Sequence, residues 1–238
     1  MNYVNYDEGN YGNRTIIIDD TKSASLMNKV YLWMIMGLGL TALTSWLSAI
    51  NGWLYHFGGI WQFVLVGVEL LLVIGLSSMI NKLSIGVATF MFIVYSILNG
   101  LTLSVIFSIY EIGSILLAFV ISASLFAVLA VFGTVTKKDM SSFGRVLLPS
   151  LIALVIAGVV NMFWGNSMFD FIISCAGVVI FAGLIVYDSN KIKQISQQID
   201  PYNQDTSKIA LLGALTMYLD FINLFLYLLR ILGRASKN

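Results

Sequence analysis

The sequence predicts an all-α membrane protein, a bundle of seven transmembrane helices. Three observations carry that reading. Of 238 residues, 58% are hydrophobic and only 11% charged, against about 25% charged in a soluble domain, and mean hydropathy is +0.88. Seven segments are long and apolar enough to cross the hydrocarbon core, which takes about 20 residues of helix. The connections between them are short with one exception, which makes successive helices antiparallel neighbours in one bundle.

The elements follow in order. Residues 1–27 hold Asp7, Glu8, Arg14, Asp19, Asp20 and Lys22 with no early apolar core. They read as a polar N-terminal tail rather than a cleavable signal peptide. The spans cover roughly 28–50, 60–80, 84–110, 113–135, 145–164, 168–190 and 208–232. Together they form one transmembrane domain over 28–233, and 234–238 make a short C-terminal tail. The exceptional connection, Lys191 to Ser207, is polar and contains Asp200-Pro201. Pro149 and Pro201 are the only prolines, so most helices are expected to run without a proline kink. Ala153 and Ala157 are spaced for close helix contact in lipid.

Orientation follows the basic residues. Arg14, Lys22, Lys29, Lys82, Lys137, Lys138, Arg145, Lys191, Lys193 and Lys208, ten of the 13, fall on one side, while the opposite loops hold Glu111 and Asp170. The N-terminus is therefore expected to be cytoplasmic and the C-terminus, with Arg234 and Lys237, on the far side. Trp53, Tyr55, Trp61, Tyr110 and Trp164 fit an outer interfacial belt.

Composition also excludes functions. A net charge of +1 gives no footprint for nucleic acid. The single Cys175 excludes an intramolecular disulfide and a cysteine zinc site, and the single His56 excludes a histidine-rich metal cluster. His56, in a short outer loop, is badly placed to serve an intramembrane serine, and there is no HExxH. No enzyme and no tightly bound cofactor is expected.

Ionisable residues at membrane depth are costly, roughly 2.5–3.5 kcal/mol each on the lenient scale, and mark function or pairing. Four qualify: Glu69, Asp188, Asp220 and Arg230. Glu69 lies about nine residues into span two. Asp220 lies about 12 residues into span seven, or roughly 18 Å of helix at 1.5 Å per residue. Both are near mid-membrane. Asp188 sits near the cytoplasmic end of span six, about one turn before Lys191. Arg230, late in span seven, is expected to serve as a structural partner for an acid, Glu69 first. Asp220, Asn223 and Tyr227 share one face of span seven at i, i+3 and i+7 and are expected to face the bundle interior. Two carboxylates held close do not ionise independently and titrate as a unit. Their oxygens suit a hard cation such as Ca²⁺, weakly and transiently, since a tight cage needs six or more.

The residues carry a family resemblance. Tyr95-Ser-Ile-Leu-Asn-Gly-Leu-Thr-Leu-Ser104, Gly133-Thr-Val-Thr-Lys-Lys-Asp-Met140, Phe181-Ala-Gly-Leu-Ile-Val-Tyr-Asp-Ser-Asn-Lys-Ile192 and Tyr218-Leu-Asp-Phe-Ile-Asn-Leu-Phe-Leu-Tyr-Leu-Leu-Arg230 resemble the Bax inhibitor-1 family, its bacterial members above all. The resemblance covers about residues 28–233. It implies seven helices with the last central and wrapped by the other six. It implies a pH-sensitive calcium leak whose sensor is an aspartate pair, Asp188 and Asp220 here. It also implies an ion pair of Glu69 with Arg230. Span boundaries from hydropathy leave the two aspartates about 10 Å apart in depth. The family's latching arginine at the end of span two is missing: the chain reads Met79-Ile80-Asn81-Lys82, and Lys82, which lacks the bidentate fork, is the candidate substitute.

A leak channel is thus the first expectation, with calcium and protons as the species it handles and the lipid bilayer as its surroundings. A proton/cation exchanger would use the same carboxylates. A regulator that binds other membrane proteins, such as a quality-control protease, would use the polar tail. The bacterial flavour of the motifs points to an inner membrane.

Overall fold

The structure, a computed structural model, describes residues 20–53, 59–198 and 204–235. Most of the N-terminal tail, Tyr55, His56, Asp200-Pro201 and Lys237 lie outside the described residues, as do the side chains of Lys22 and Arg234. The helices are α1 (Asp20–Ile50), α2 (Ile60–Met79), α3 (Ile85–Leu103), α4 (Ile106–Ile109), α5 (Ile112–Val135), α6 (Ser141–Trp164), α7 (Ser167–Gln198) and α8 (Gln204–Ala235). With α3 and α4 counted as one span, seven are long and apolar enough to cross a membrane.

Local chemistry sets the ends. Ser84 caps α3, its hydroxyl accepting from the Val87 amide at 3.3 Å. Gly165 ends α6 at φ 65°, a left-handed conformation that glycine adopts freely. Asn166 then accepts from the Phe169 amide at 2.9 Å and starts α7. Pro149 sits inside α6.

The last helix is central. In α8, 67% of the most apolar stretch is buried, against 44% or less in every other span. Ala210, Leu211, Ala214, Met217, Tyr218 and Leu224 are each fully enclosed. Its main packing is against four helices, α1, α3, α5 and α7, rather than six. α2 packs on α3 and α6 on α7, as outer helices with apolar faces such as Leu71 and Phe163 turned outward.

Helix ends depart from the hydropathy boundaries. Leu26 and Met27 are buried in the core, so α1 reaches back into the stretch assigned to the tail. α6 starts at Ser141 rather than 145. The polar connection Lys191 to Ser207 is mostly helix: α7 runs eight residues past 190, to Gln198, and α8 begins at Gln204. Hydropathy marks the apolar run of a helix, whereas Ile192, Ser196 and Thr206 lie in polar sequence beyond it and are buried against neighbours. Ala153 faces outward. Ala157 is half-buried and packs against the core, while backbones approach more closely at Gly133, where an added Cβ would lie 2.5 Å from the Val186 carbonyl oxygen of α7, and at Gly100, 2.7 Å from the Thr41 carbonyl oxygen of α1.

Candidate functional site

The α7–α8 hairpin determines which side chains meet. Ser189 Oγ lies 3.8 Å from Met217 Sδ, Ile192 borders Gly213, and Gly177 receives the ring of Tyr227. These pairs make α7 and α8 antiparallel neighbours in one register. In that register the side chains of Asp188 and Asp220 interact directly. The 10 Å depth mismatch disappears because α7 continues past 190 before the chain turns. Asp220 is buried at 5% exposure, and its Oδ2 has no hydrogen-bond partner. Asp188 is half-buried, with the Lys191 ammonium acting on it. Lys191 also lies 5.7 Å from the centre of the Tyr187 ring.

A strap closes over this hairpin. Asn190 Nδ2 donates to the Gly133 carbonyl at 3.1 Å, and the Met140 amide donates to Asn190 Oδ1 at 3.4 Å. Gln194 Nε2 donates to the same oxygen at 2.7 Å, and Lys193 Nζ to the Thr136 carbonyl at 3.2 Å. Asp139 accepts from the hydroxyl and amide of Ser141 at 2.6 and 2.9 Å, which holds its carboxyl below the usual carboxylate range. The two sequence stretches 133–140 and 181–192 are therefore parts of one contact.

The structure corrects three expectations. Glu69 does not pair with Arg230. Glu69 accepts from Asn99 Nδ2 at 3.1 Å and from the Thr102 hydroxyl, both on α3. Arg230 Nη1 reaches Asp170 at 3.4 Å and lies over the Tyr227 ring at 5.4 Å, near the end where the α6–α7 turn lies. Lys82 does not latch the aspartates: it is exposed on the α2–α3 turn, and the cation acting on Asp188 is Lys191. The Asp220, Asn223, Tyr227 face is not one polar stripe. Asn223 turns back to its own Leu219 carbonyl at 2.8 Å, and Tyr227 stacks on Phe181 at 5.8 Å.

Residues outside the candidate set complete a second polar cluster. Tyr218 donates to Asn99 Oδ1 at 3.0 Å and lies 2.7 Å from Thr41 Oγ1, which donates to the Ser96 carbonyl at 2.8 Å. Neutral polar residues inside apolar spans were the available signal, with Asn99 and Thr102 at i, i+3. Among the described residues no three His, Cys, Asp or Glu side chains gather to hold a metal ion.

Fold and site together define a polytopic membrane protein whose central helix presses a buried acid against a second one. Residues 23–237 match the family described as Inhibitor of apoptosis-promoting Bax1, and the chain belongs to that family. It is 45% identical over 213 residues to Inner membrane protein YbhL of Escherichia coli (strain K12), covering 87% of this chain and 90% of that protein. An uncharacterised protein of Borreliella burgdorferi is 38% identical over 213 residues, covering 88% and 92%. One of Deinococcus radiodurans is 38% identical over 207 residues, covering 87% and 89%.

Proposed function

We propose that this chain is a pH-sensitive, calcium-permeable leak channel of a bacterial inner membrane, with Asp188 and Asp220 as its sensor and gate. The observation that carries the reading is the direct meeting of these two carboxyls inside the bundle, between α7 and its most buried helix, α8. With one shared proton the pair holds α7 to α8. With none, two negative charges face each other where the surroundings screen them poorly, and they repel. The same charges attract a passing Ca²⁺, for which two carboxylates form a weak site rather than a cage. Calcium is here the cargo. The end of the bundle that carries Lys137, Lys138, Lys191 and Lys193 faces the cytoplasm in this reading. The relative named as an inner membrane protein supports the location.

The test is calcium flux into liposomes holding the purified protein, at acidic, neutral and mildly alkaline pH, wild type against Asp220→Asn. Protein-dependent flux is expected to vary with pH in the wild type and to lose that variation in the variant. An absence of protein-dependent flux at every pH, or an unchanged profile in the variant, overturns the reading. An exchanger would use the same carboxylates, but the third span keeps right-handed helical dihedrals through Ser104 and Val105 and is not a broken helix. Flux driven by an opposing proton gradient, rather than tuned by pH alone, would select an exchanger.

A further inference from the structure

The second polar cluster contains a count that does not close. Four contacts run in a line across four helices: Ser96 carbonyl to Thr41 hydroxyl at 2.8 Å, Thr41 to Tyr218 hydroxyl at 2.7 Å, Tyr218 to the Asn99 amide at 3.0 Å, and Asn99 to Glu69 Oε2 at 3.1 Å. Each distance is a hydrogen-bond distance, and two acceptors held this close repel unless a hydrogen lies between them. The Ser96 carbonyl only accepts. Thr41 and Tyr218 supply one hydrogen each. The amide turns one end, nitrogen or oxygen, to each neighbour, so it supplies one more. Three hydrogens serve four contacts when Glu69 is a carboxylate.

Direction decides where the fourth comes from. The structure places the Asn99 nitrogen toward Glu69, and the turned-over amide fits the same heavy-atom positions, so the network has to choose between them. With the Asn99 nitrogen toward Glu69, Tyr218 donates to the amide oxygen. Thr41 is then left with one hydrogen for two oxygens, on Tyr218 and Ser96. With the amide turned over, Thr41 donates to Ser96, Tyr218 to Thr41, and Asn99 to Tyr218. The last contact then closes only if Glu69 donates to the amide oxygen as a neutral acid. Thr102 meanwhile donates to the other carboxyl oxygen of Glu69.

The surroundings are consistent with a neutral group. Glu69 is 7% exposed, and the charged partner assigned to it, Arg230, is engaged by Asp170. The titratable groups facing Glu69 are Tyr95 on α3, against which α2 packs, and Tyr218 on α8. Both are phenols, neutral at physiological pH.

We propose that Glu69 is a proton-binding site separate from the Asp188–Asp220 pair, and that its proton completes the chain from α2 to α1. When the proton leaves to water, every donor reverses. Asn99 donates to Glu69, Tyr218 to Asn99 and Thr41 to Tyr218, and the contact between Thr41 on α1 and Ser96 on α3 loses its hydrogen. A proton released on an outer helix is thus felt two helices away, through Tyr218 of the central one.

Infrared difference spectroscopy of the protein in lipid tests this without any flux assay, so the result is independent of the channel reading. Wild type minus Glu69→Gln cancels the aspartates and isolates this one group. At neutral pH the carbonyl stretch of a protonated carboxylic acid is expected, lost on raising the pH. Tyr218→Phe, which breaks the chain one link away, is expected to shift that band without removing it. Gln has a permanent N–H to give to Asn99, so Glu69→Gln should fold and melt within about 3 °C of wild type. A carboxylate signature alone at neutral pH, a band unmoved by Tyr218→Phe, or failure of the Gln variant to fold each overturns the proposal.

Discussion

The value of a charge in this protein depends on where its side chain ends. Arg230 belongs to the central helix, yet its side chain is 42% exposed and its partner Asp170 30% exposed. Water and ions screen such a pair, and pairs of this kind contribute about 0–1 kcal/mol. Arg230→Gln is therefore expected to lower stability by less than about 1 kcal/mol, read as a small drop in thermal midpoint. A loss several times larger would mean that Arg230 reaches a buried acid. Asp139 shows the same dependence through pH. Hydrogen bonds from the Ser141 hydroxyl and amide hold its carboxyl below the usual range. Its folded value lies below its unfolded one, so its contribution is fully present above the unfolded aspartate value of about 3.9. It is lost as pH falls through the lower folded value. Hydrogen exchange at the Ser141 amide should be faster in Asp139→Asn than in wild type at neutral pH, and the difference should vanish at strongly acid pH. A difference that persists in acid would mean that the carboxylate charge is not what orders the start of α6.

Elements are fixed here by how closely their backbones approach, and glycine decides that. At Gly133 an added Cβ would sit 2.5 Å from the Val186 carbonyl oxygen and 2.8 Å from Ser189 Cβ. Neither can rotate away, so α5 would have to move off α7 and strain the Asn190–Gly133 hydrogen bond. Gly133→Ala is expected to cost about 1–3 kcal/mol as overpacking. Gly39→Ala, with nothing within 4 Å of its Cβ, should be neutral or slightly stabilising. Equal midpoints for the two variants would mean that the α5–α7 contact is soft. The seven spans were legible in the sequence because each carries an apolar run of the required length. The helix ends were not, since Ile192, Ser196 and Thr206 continue helices through polar sequence by packing. The Asp188–Asp220 meeting was legible only through the family resemblance, because hydropathy alone placed the turn wrongly. Glu69 was legible as a buried acid, but not its partners: Asn99, Thr102 and Tyr218 are neutral, and only tertiary packing brings them to it.

At the scale of the molecule, α8 is enclosed by α1, α3, α5 and α7 and makes polar side-chain contacts to three of them. Asp220 faces α7, while Tyr218, two residues earlier, links to α3 and α1. With Asp220 at 5% exposure, no ion reaches it unless α8 moves relative to a neighbour. The contact that must yield in the channel reading is the α7–α8 face, where the carboxyls meet. Ser189 and Met217 touch at 3.8 Å on that same face, one residue after Asp188 and three before Asp220. Paired cysteines at these positions, in a background where Cys175→Ser removes the native thiol, should cross-link under a membrane-permeant oxidant. If α7 and α8 part to conduct, flux in the cross-linked protein should fall to the protein-free level and return on reduction. The aspartates remain in place throughout, so the loss would report motion rather than altered charge. Undiminished flux through fully cross-linked protein would instead mean that the hairpin stays closed and that ions pass along another face of α8, where Tyr218 and Glu69 are the polar groups available.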